Sequence, residues 1–168
     1  MIPAAFEYVR AESVEHAVSA LAEHGDDAKL LAGGQSLLPL MRLRLAAPEV
    51  VVDVGRLADL RGVRDDGDAL VIGALTTHHE VLTNDLVRQY ARLIAEVTAT
   101  VADPAVRHRG TFGGSLAHAD PAADLPAAAL ALGAEMVAHG PGGRRVIPAR
   151  EFFVDYLETT LSADELLV

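Results

Sequence analysis

Hydrophobic positions follow two rhythms along the chain, and the changes between them predict its elements. Phe6-Glu7-Tyr8-Val9 alternates like a strand, and Val14, Ala17, Val18, Leu21 and Ala22 then recur at helical spacing behind Ser13, a capping residue. Gly25 ends that helix. Lys29-Leu30-Leu31-Ala32 reads as a short buried strand running into Gly33-Gly34. Ser36 is expected to cap a second helix whose stripe of Leu37, Leu38, Leu40, Met41, Leu43 and Leu45 faces the core. Pro39 is tolerated in its first turn, where amides have no internal partner. After Pro48 the β-branched run Val50-Val51-Val52 predicts a strand covered on both faces. Residues 1–54 therefore read as a small lobe of βαβ units.

The pattern is looser over residues 55–168. A strand is expected at Ala69-Leu70-Val71-Ile72-Gly73 after the turn Asp65-Asp66-Gly67, then a short helix through Leu82 capped by Thr76 or Thr77. Leu86, Tyr90, Leu93, Ile94, Val97 and Val101 predict one longer amphipathic helix. A second glycine loop, residues 109–115, precedes an alanine-rich helix over 122–132. Glu135-Met136-Val137-Ala138 and Arg145-Val146-Ile147-Pro148 read as a hairpin around Gly140-Pro141-Gly142-Gly143, and a helix over 151–157 is expected to follow. The fold class is α/β to α+β: a βαβ lobe, then a larger lobe with a mainly antiparallel sheet and flanking helices.

Composition narrows the chemistry. With 14 Lys and Arg against 24 Asp and Glu, the net charge of −10 argues against nucleic acid as a partner. No apolar run is long enough for a membrane span, and the N-terminus lacks a secretory pattern, so the expected location is cytoplasmic. The chain has no cysteine, which excludes a thiolate nucleophile and cluster ligation by this chain.

The Gly-Gly pairs hold the most chemistry. Between a strand and a helix, Gly33-Gly34-Gln35-Ser36 lets backbone amides approach an anion without a β-carbon in the way. Thr111-Phe112-Gly113-Gly114-Ser115 is expected to repeat that geometry, so that two facing nests would suit a pyrophosphate; each pair taken alone reads first as a tight turn. Neither segment fits a dinucleotide, ATP-loop or nucleophile-elbow pattern. His78-His79-Glu80 reads as a surface helix start rather than a metal site, and His118, Asp120 and Asp124 do not make a convincing ligand set. Asp65-Asp66-Gly67-Asp68 lacks the terminal glutamate of a calcium loop and is taken as a solvated turn. Arg107, His108 and Arg109 either help neutralise phosphate or sit on a solvated turn.

Ala32-Gly33-Gly34-Gln35-Ser36-Leu37-Leu38-Pro39, with Val106-Arg107-His108-Arg109-Gly110-Thr111-Phe112-Gly113-Gly114-Ser115 and the acidic Asp124-Leu125-Pro126 beyond it, resembles the FAD-binding medium subunit of molybdenum hydroxylases. The likeness is to the carbon monoxide dehydrogenase medium-subunit type, related to the flavin domain of xanthine dehydrogenase, and it runs through the whole chain. It implies that Leu30, Leu31, Ala32, Gly33, Gly34, Gln35, Ser36 and Leu37 wrap the FAD pyrophosphate, together with Thr111, Phe112, Gly113, Gly114 and Ser115. Asp124 is implied to bond polar parts of the cofactor, and Ala102 to lie where some members touch the flavin. Ser115 stands where asparagine is commoner, and Phe112 where an aliphatic residue is usual.

The resemblance further implies partners: a large subunit with a molybdenum cofactor and a small subunit with 2Fe–2S clusters, from which FAD takes electrons for an external acceptor. No side chain is expected to be catalytic and no metal is expected in this chain. A stand-alone flavin- or nucleotide-binding module is the alternative; a vanillyl-alcohol-oxidase-type enzyme would need a substrate-binding cap that 168 residues leave no room for. Members of the family carry a further C-terminal domain beyond the segment matching Asp164-Glu165-Leu166-Leu167, so weak FAD retention and no activity alone are expected of this chain.

Overall fold

The computed structural model describes residues 2–168. Its elements run β1 (Glu7–Arg10), α1 (Val14–His24), β2 (Ala28–Leu31), α2 (Leu37–Leu43), β3 (Val50–Asp53), β4 (Val63–Asp65), β5 (Leu70–Ile72), α3 (His78–Thr83), α4 (Asp85–Tyr90) and α5 (Arg92–Thr100). There follow α6 (Pro104–Arg107), α7 (Phe112–His118), α8 (Asp124–Ala131), β6 (Glu135–Gly140), β7 (Gly143–Pro148), α9 (Ala149–Phe152), β8 (Phe153–Asp155), β9 (Glu158–Thr159) and β10 (Leu166–Leu167).

The first lobe is a parallel sheet in the order β1-β3-β2. The valine run takes the central position because only that strand is flanked on both edges and covered above and below. The register sets Arg10, Asp53 and Leu31 side by side, so the carboxyl ends of all three strands coincide. Ser13 caps α1 by accepting from the His16 amide at 3.1 Å, and Gly25 ends it at φ 54°. Ala17, Val18 and Leu21 of α1 pack against Val50 and Val52; Leu57, Leu60, Leu75 and Leu166 join the same cluster. Each fully buried leucine or valine there stabilises by about 1.5–3 kcal/mol.

The second lobe is antiparallel, with β10-β6-β7 as its main sheet, as the mixed fold class anticipates. Met136, Ala138, Ile147 and Phe152 pack against Leu116 and Leu125, while Val81, Val87, Ile94 and Ala128 form a neighbouring core. The expected hairpin is present, its turn completed by Gly143 at φ 95°.

Several local expectations are corrected. The helix expected over 86–101 is two: Ala91, at φ −133° and ψ 51°, breaks the backbone, and Tyr90 is left 58% exposed. The final helix stops at Phe152, where Thr160 N–H donates to the Phe152 carbonyl and the chain turns into β8 and β9. Ser36 makes no side-chain cap, since its own backbone is already helical at φ −102° and ψ −52°. The leucine stripe is not uniformly core: Met41 is buried, but Leu43 is 57% and Leu45 74% exposed, because α2 ends at Arg44 in the left-handed region. His78 does begin a helix, as expected, but is buried rather than at the surface.

Candidate functional site

A cavity of about 480 Å³ opens where the parallel sheet ends. Leu31 and Asp53 reach it from the carboxyl ends of β2 and β3, the position where ligands gather in open parallel sheets. Ala32, Gly33 and Leu38 continue one wall; Gly55, Arg56 and Arg61 form another. Leu75, Thr77, His108, Arg109 and Thr111 close it from the second lobe. Its size is that of an ordinary small-molecule site.

The two lobes touch at Gly33. A β-carbon built there would lie 2.2 Å from the Arg109 carbonyl oxygen and 2.8 Å from Gly110 Cα, so only glycine permits this approach. Gly34 supplies the turn, at φ +76°, that carries the chain from β2 into α2. Among the described residues, the amides of Gly33, Gly34, Gln35 and Ser36 have no acceptor. Four successive free N–H groups beside a cavity form an anion-binding concavity.

The second Gly-Gly pair is built differently, which corrects the expected repetition. Gly113 and Gly114 lie in the first turn of α7, and neither has a positive φ. Phe112 N–H donates to the Thr76 carbonyl and Gly113 N–H to the Ala74 carbonyl, both at 2.9 Å. Gly114 N–H donates to the Thr111 hydroxyl at 3.2 Å, and Ser115 N–H to the Thr111 carbonyl at 3.0 Å. All four amides are already engaged. Gly113 is glycine because a β-carbon would lie 2.6 Å from Ala74 Cβ, so this pair serves packing between the 74–77 strip and α7.

Asp53 anchors the floor. One carboxylate oxygen accepts from Gly55 N–H at 2.7 Å and the other from the Tyr8 hydroxyl at 2.5 Å. That bond to Asp53 raises the Tyr8 hydroxyl above its ordinary pKa, burial adding to it. Thr77 caps α3 in a reciprocal box with Glu80. Burial pushes the Glu80 carboxyl up, but bonds from the Thr77 amide and hydroxyl more than offset it and hold it low. Behind Thr77, His78 packs against Gly110 with its Nδ1 unpartnered; burial first, and the Arg107 charge second, push it down to about 4. His79 and His108 stack with ring centres 3.9 Å apart.

Of the candidate site residues singled out from sequence, Leu31, Ala32, Gly33, His108, Arg109 and Thr111 line this cavity. Leu30 lies on β2, Gly34, Gln35 and Ser36 in the turn, and Leu37 at the start of α2. Phe112 packs into the second-lobe cores. Neither Ala102 nor Asp124 lines the cavity. Asp124, exposed at the start of α8, accepts from the Thr100 hydroxyl at 3.4 Å, and Ala102 follows two residues later at φ 42°. Arg107 is turned away from the cavity, donating to the Val101 and Ala102 carbonyls. Asp53, Gly55, Arg56, Arg61 and Leu75 were not singled out, and Thr77 was read only as a helix cap; the one available signal was an aspartate ending a buried parallel strand.

Residues 4–168 match the family model described as the FAD binding domain in molybdopterin dehydrogenase. The chain belongs to that family, and its cofactor is FAD. It is 46% identical over 168 residues to the carbon monoxide dehydrogenase medium chain of Hydrogenophaga pseudoflava, covering all of this chain and 58% of that one. It is 45% identical to the 6-hydroxypseudooxynicotine dehydrogenase complex subunit alpha of Paenarthrobacter nicotinovorans, covering 100% of this chain and 57% of the relative. Among solved structures, the carbon monoxide dehydrogenase of Hydrogenophaga pseudoflava superimposes with a TM-score of 0.97 at 47% identity, covering 99% of this chain and 58% of that one. Quinoline 2-oxidoreductase from Pseudomonas putida 86 superimposes at 0.95 with 38% identity, over 99% of this chain and 58% of its own. The chain thus spans a little over half the length of these relatives. Among the described residues, no helix is long and apolar enough to cross a membrane, and no cluster of metal-ligating side chains is present.

Proposed function

We propose that this chain is the FAD-binding part of a molybdenum hydroxylase of the carbon monoxide dehydrogenase type. It would take electrons from the iron–sulfur clusters of a small subunit, fed by a molybdenum-bearing large subunit, and deliver them to an external acceptor. The observation that carries this is the run of free amides at Gly33, Gly34, Gln35 and Ser36 beside a cavity into which both lobes contribute. These amides, with the Thr111 hydroxyl, would hold the FAD diphosphate; Ala102 and Asp124 would meet the cofactor further along α5 and α8. Bound FAD supplies the redox chemistry, accepting electrons and passing them on.

The chain's own residues bind and orient. Gly33 sets the spacing between the lobes, Asp53 fixes the loop after β3, and the neutral His78 fills the space behind Gly110. The two subdomains, residues 1–54 and 55–168, would grip the cofactor between them, in the cytoplasm. With no cysteine, this chain supplies no thiolate for a cluster, which accords with cluster ligation by a partner. The names of both curated relatives, a medium chain and a complex subunit, favour a multi-subunit enzyme over a stand-alone module.

Isothermal calorimetry with FAD, FMN and ADP tests the proposal. FAD and ADP should bind at least about ten-fold more tightly than FMN, because a row of amides bonds a diphosphate at more oxygens than a terminal phosphate. Equal affinity for FMN, or binding of neither dinucleotide nor ADP, would count against it.

A further inference from the structure

We propose that Arg56 and Arg109 form a guanidinium clamp that fixes the diphosphate of the dinucleotide in the cavity, doing by charge what a second row of amides does not. The inference rests on the FAD reading above and assigns the role to Arg56, which the sequence did not single out, and to Arg109, for which the sequence left phosphate neutralisation and a solvated turn open.

The amides of residues 112–115 are all engaged within the protein, so backbone donation to an anion comes from the first loop alone. A diphosphate carries more negative charge than uncharged N–H groups can neutralise. Yet in a chain of net charge −10, this cavity gathers Arg56, Arg61 and Arg109 around a single carboxylate, that of Asp53. Both oxygens of that carboxylate already accept bonds, from Gly55 N–H and the Tyr8 hydroxyl. Arg61 is held by donation to the Gly55 carbonyl at 3.0 Å. Arg56 and Arg109 line the same cavity and, among the described residues, neither guanidinium has a hydrogen-bond or ion-pair partner.

Both are also placed by the backbone. Arg56 follows Gly55, whose N–H is tied to Asp53, at the carboxyl end of the central strand. Arg109 belongs to the segment whose carbonyl abuts Gly33, so its side chain starts at the edge of the free-amide loop. The contact that requires glycine at 33 therefore also delivers a permanent cation to the amide row. Guanidinium groups are charged at every working pH and suit paired phosphate oxygens.

The test is calorimetric binding of ADP and of FAD to the chain and to the variants R56Q/R109Q and R56K/R109K, at about 50 mM and about 500 mM salt. The wild type should bind ADP more weakly at the higher salt. R56Q/R109Q should bind it about 30-fold or more weakly and lose most of that salt dependence, and R56K/R109K should recover a large part. Thermal unfolding of each variant controls for folding. ADP affinity in R56Q/R109Q equal to wild type would overturn the clamp while leaving FAD binding intact: the arginines would then be solvated surface groups. Should R56Q/R109Q not fold, salt-independent ADP binding by the wild type would overturn the clamp equally. A wild-type chain that binds neither FAD nor ADP would instead remove the FAD reading on which the clamp rests.

Discussion

Alanine at Gly33 adds one methyl group at the place where the two lobes meet. That carbon would sit 2.2 Å from the Arg109 carbonyl oxygen and 2.8 Å from Gly110 Cα, both rigid backbone atoms. Ordinary contact is about 3.4 Å or more, so the Arg109–Gly110 segment must retreat by roughly 1 Å. The retreat strains a segment held at its other side, where His78 N–H donates to the Gly110 carbonyl and Phe112 N–H to the Thr76 carbonyl, both at 2.9 Å. Overpacking of this kind costs about 2–3 kcal/mol, which for a chain of this size lowers the melting temperature by about 5–10 °C. The same retreat widens the gap between the free amides and the opposite wall, so ADP affinity should fall about ten-fold or more. Gly34→Ala should differ in kind: its φ of +76° costs about 1–2 kcal/mol of backbone strain, and its nearest obstacle is the flexible end of Leu38 at 2.8 Å. Gly142→Ala meets nothing within 4 Å and is the neutral control. Scanning calorimetry with ADP titration measures both effects. A Gly33→Ala chain that melts and binds like the Gly142→Ala control would refute the close-approach argument.

Two predictions concern acid stability. Burial holds His78 neutral in the folded chain, with a value pushed down to about 4, whereas the unfolded chain takes up a proton from about pH 6.5 downward. Stability from this group is thus complete above about pH 6.5 and falls by up to about 3 kcal/mol as the pH drops toward 4; urea midpoints across that range should show the slope, and His78→Gln should flatten it. The second is the Arg145–Glu165 pair, with Arg145 donating to both carboxylate oxygens at 2.6 and 2.7 Å and tying β7 to the chain just before β10. Arg145 holds the Glu165 carboxyl below its ordinary value of 4.5, so its contribution is present above that pH and lost as acid titrates through the lower folded value. Arg145→Gln should lower stability near neutrality, only modestly because the arginine is largely exposed, and should remove that acid-dependent loss; a variant as stable as wild type at neutral and at acid pH would sink the assignment.

How much was legible in the sequence depends on whether a feature is local. Ser13, the spacing of Ala17, Val18 and Leu21, and Gly25 define α1 from residues within a few positions of each other, and the structure agrees. The valine run of β3 and the hairpin around Gly143 are readable for the same reason: hydrophobicity, β-branching and turn chemistry act over a few residues. The break at Ala91 is not local. Leu86, Ile94 and Val97 keep a helical period across it, but α4 packs on the β4–β5 hairpin while α5 packs on α8, and one straight helix cannot do both.

The site divides along the same line. Gly33-Gly34 and Gly113-Gly114 are identical dipeptides before polar residues, and sequence alone makes them equivalent. Tertiary packing separates them: the Ala74–Thr77 strip and Thr111 take up the amides of the second pair, while nothing among the described residues takes up those of the first. Asp53, Arg56 and Arg61 look like ordinary polar residues after a strand. They share a cavity with Arg109 only because β3 ends beside β2 and because Gly33, lacking a side chain, lets the second lobe's backbone close against the first. Local sequence determines which segments are helix, strand and turn; which donors and charges remain unpaired is determined by contacts between residues far apart in the chain, since a hydrogen bond used in one place is unavailable in another.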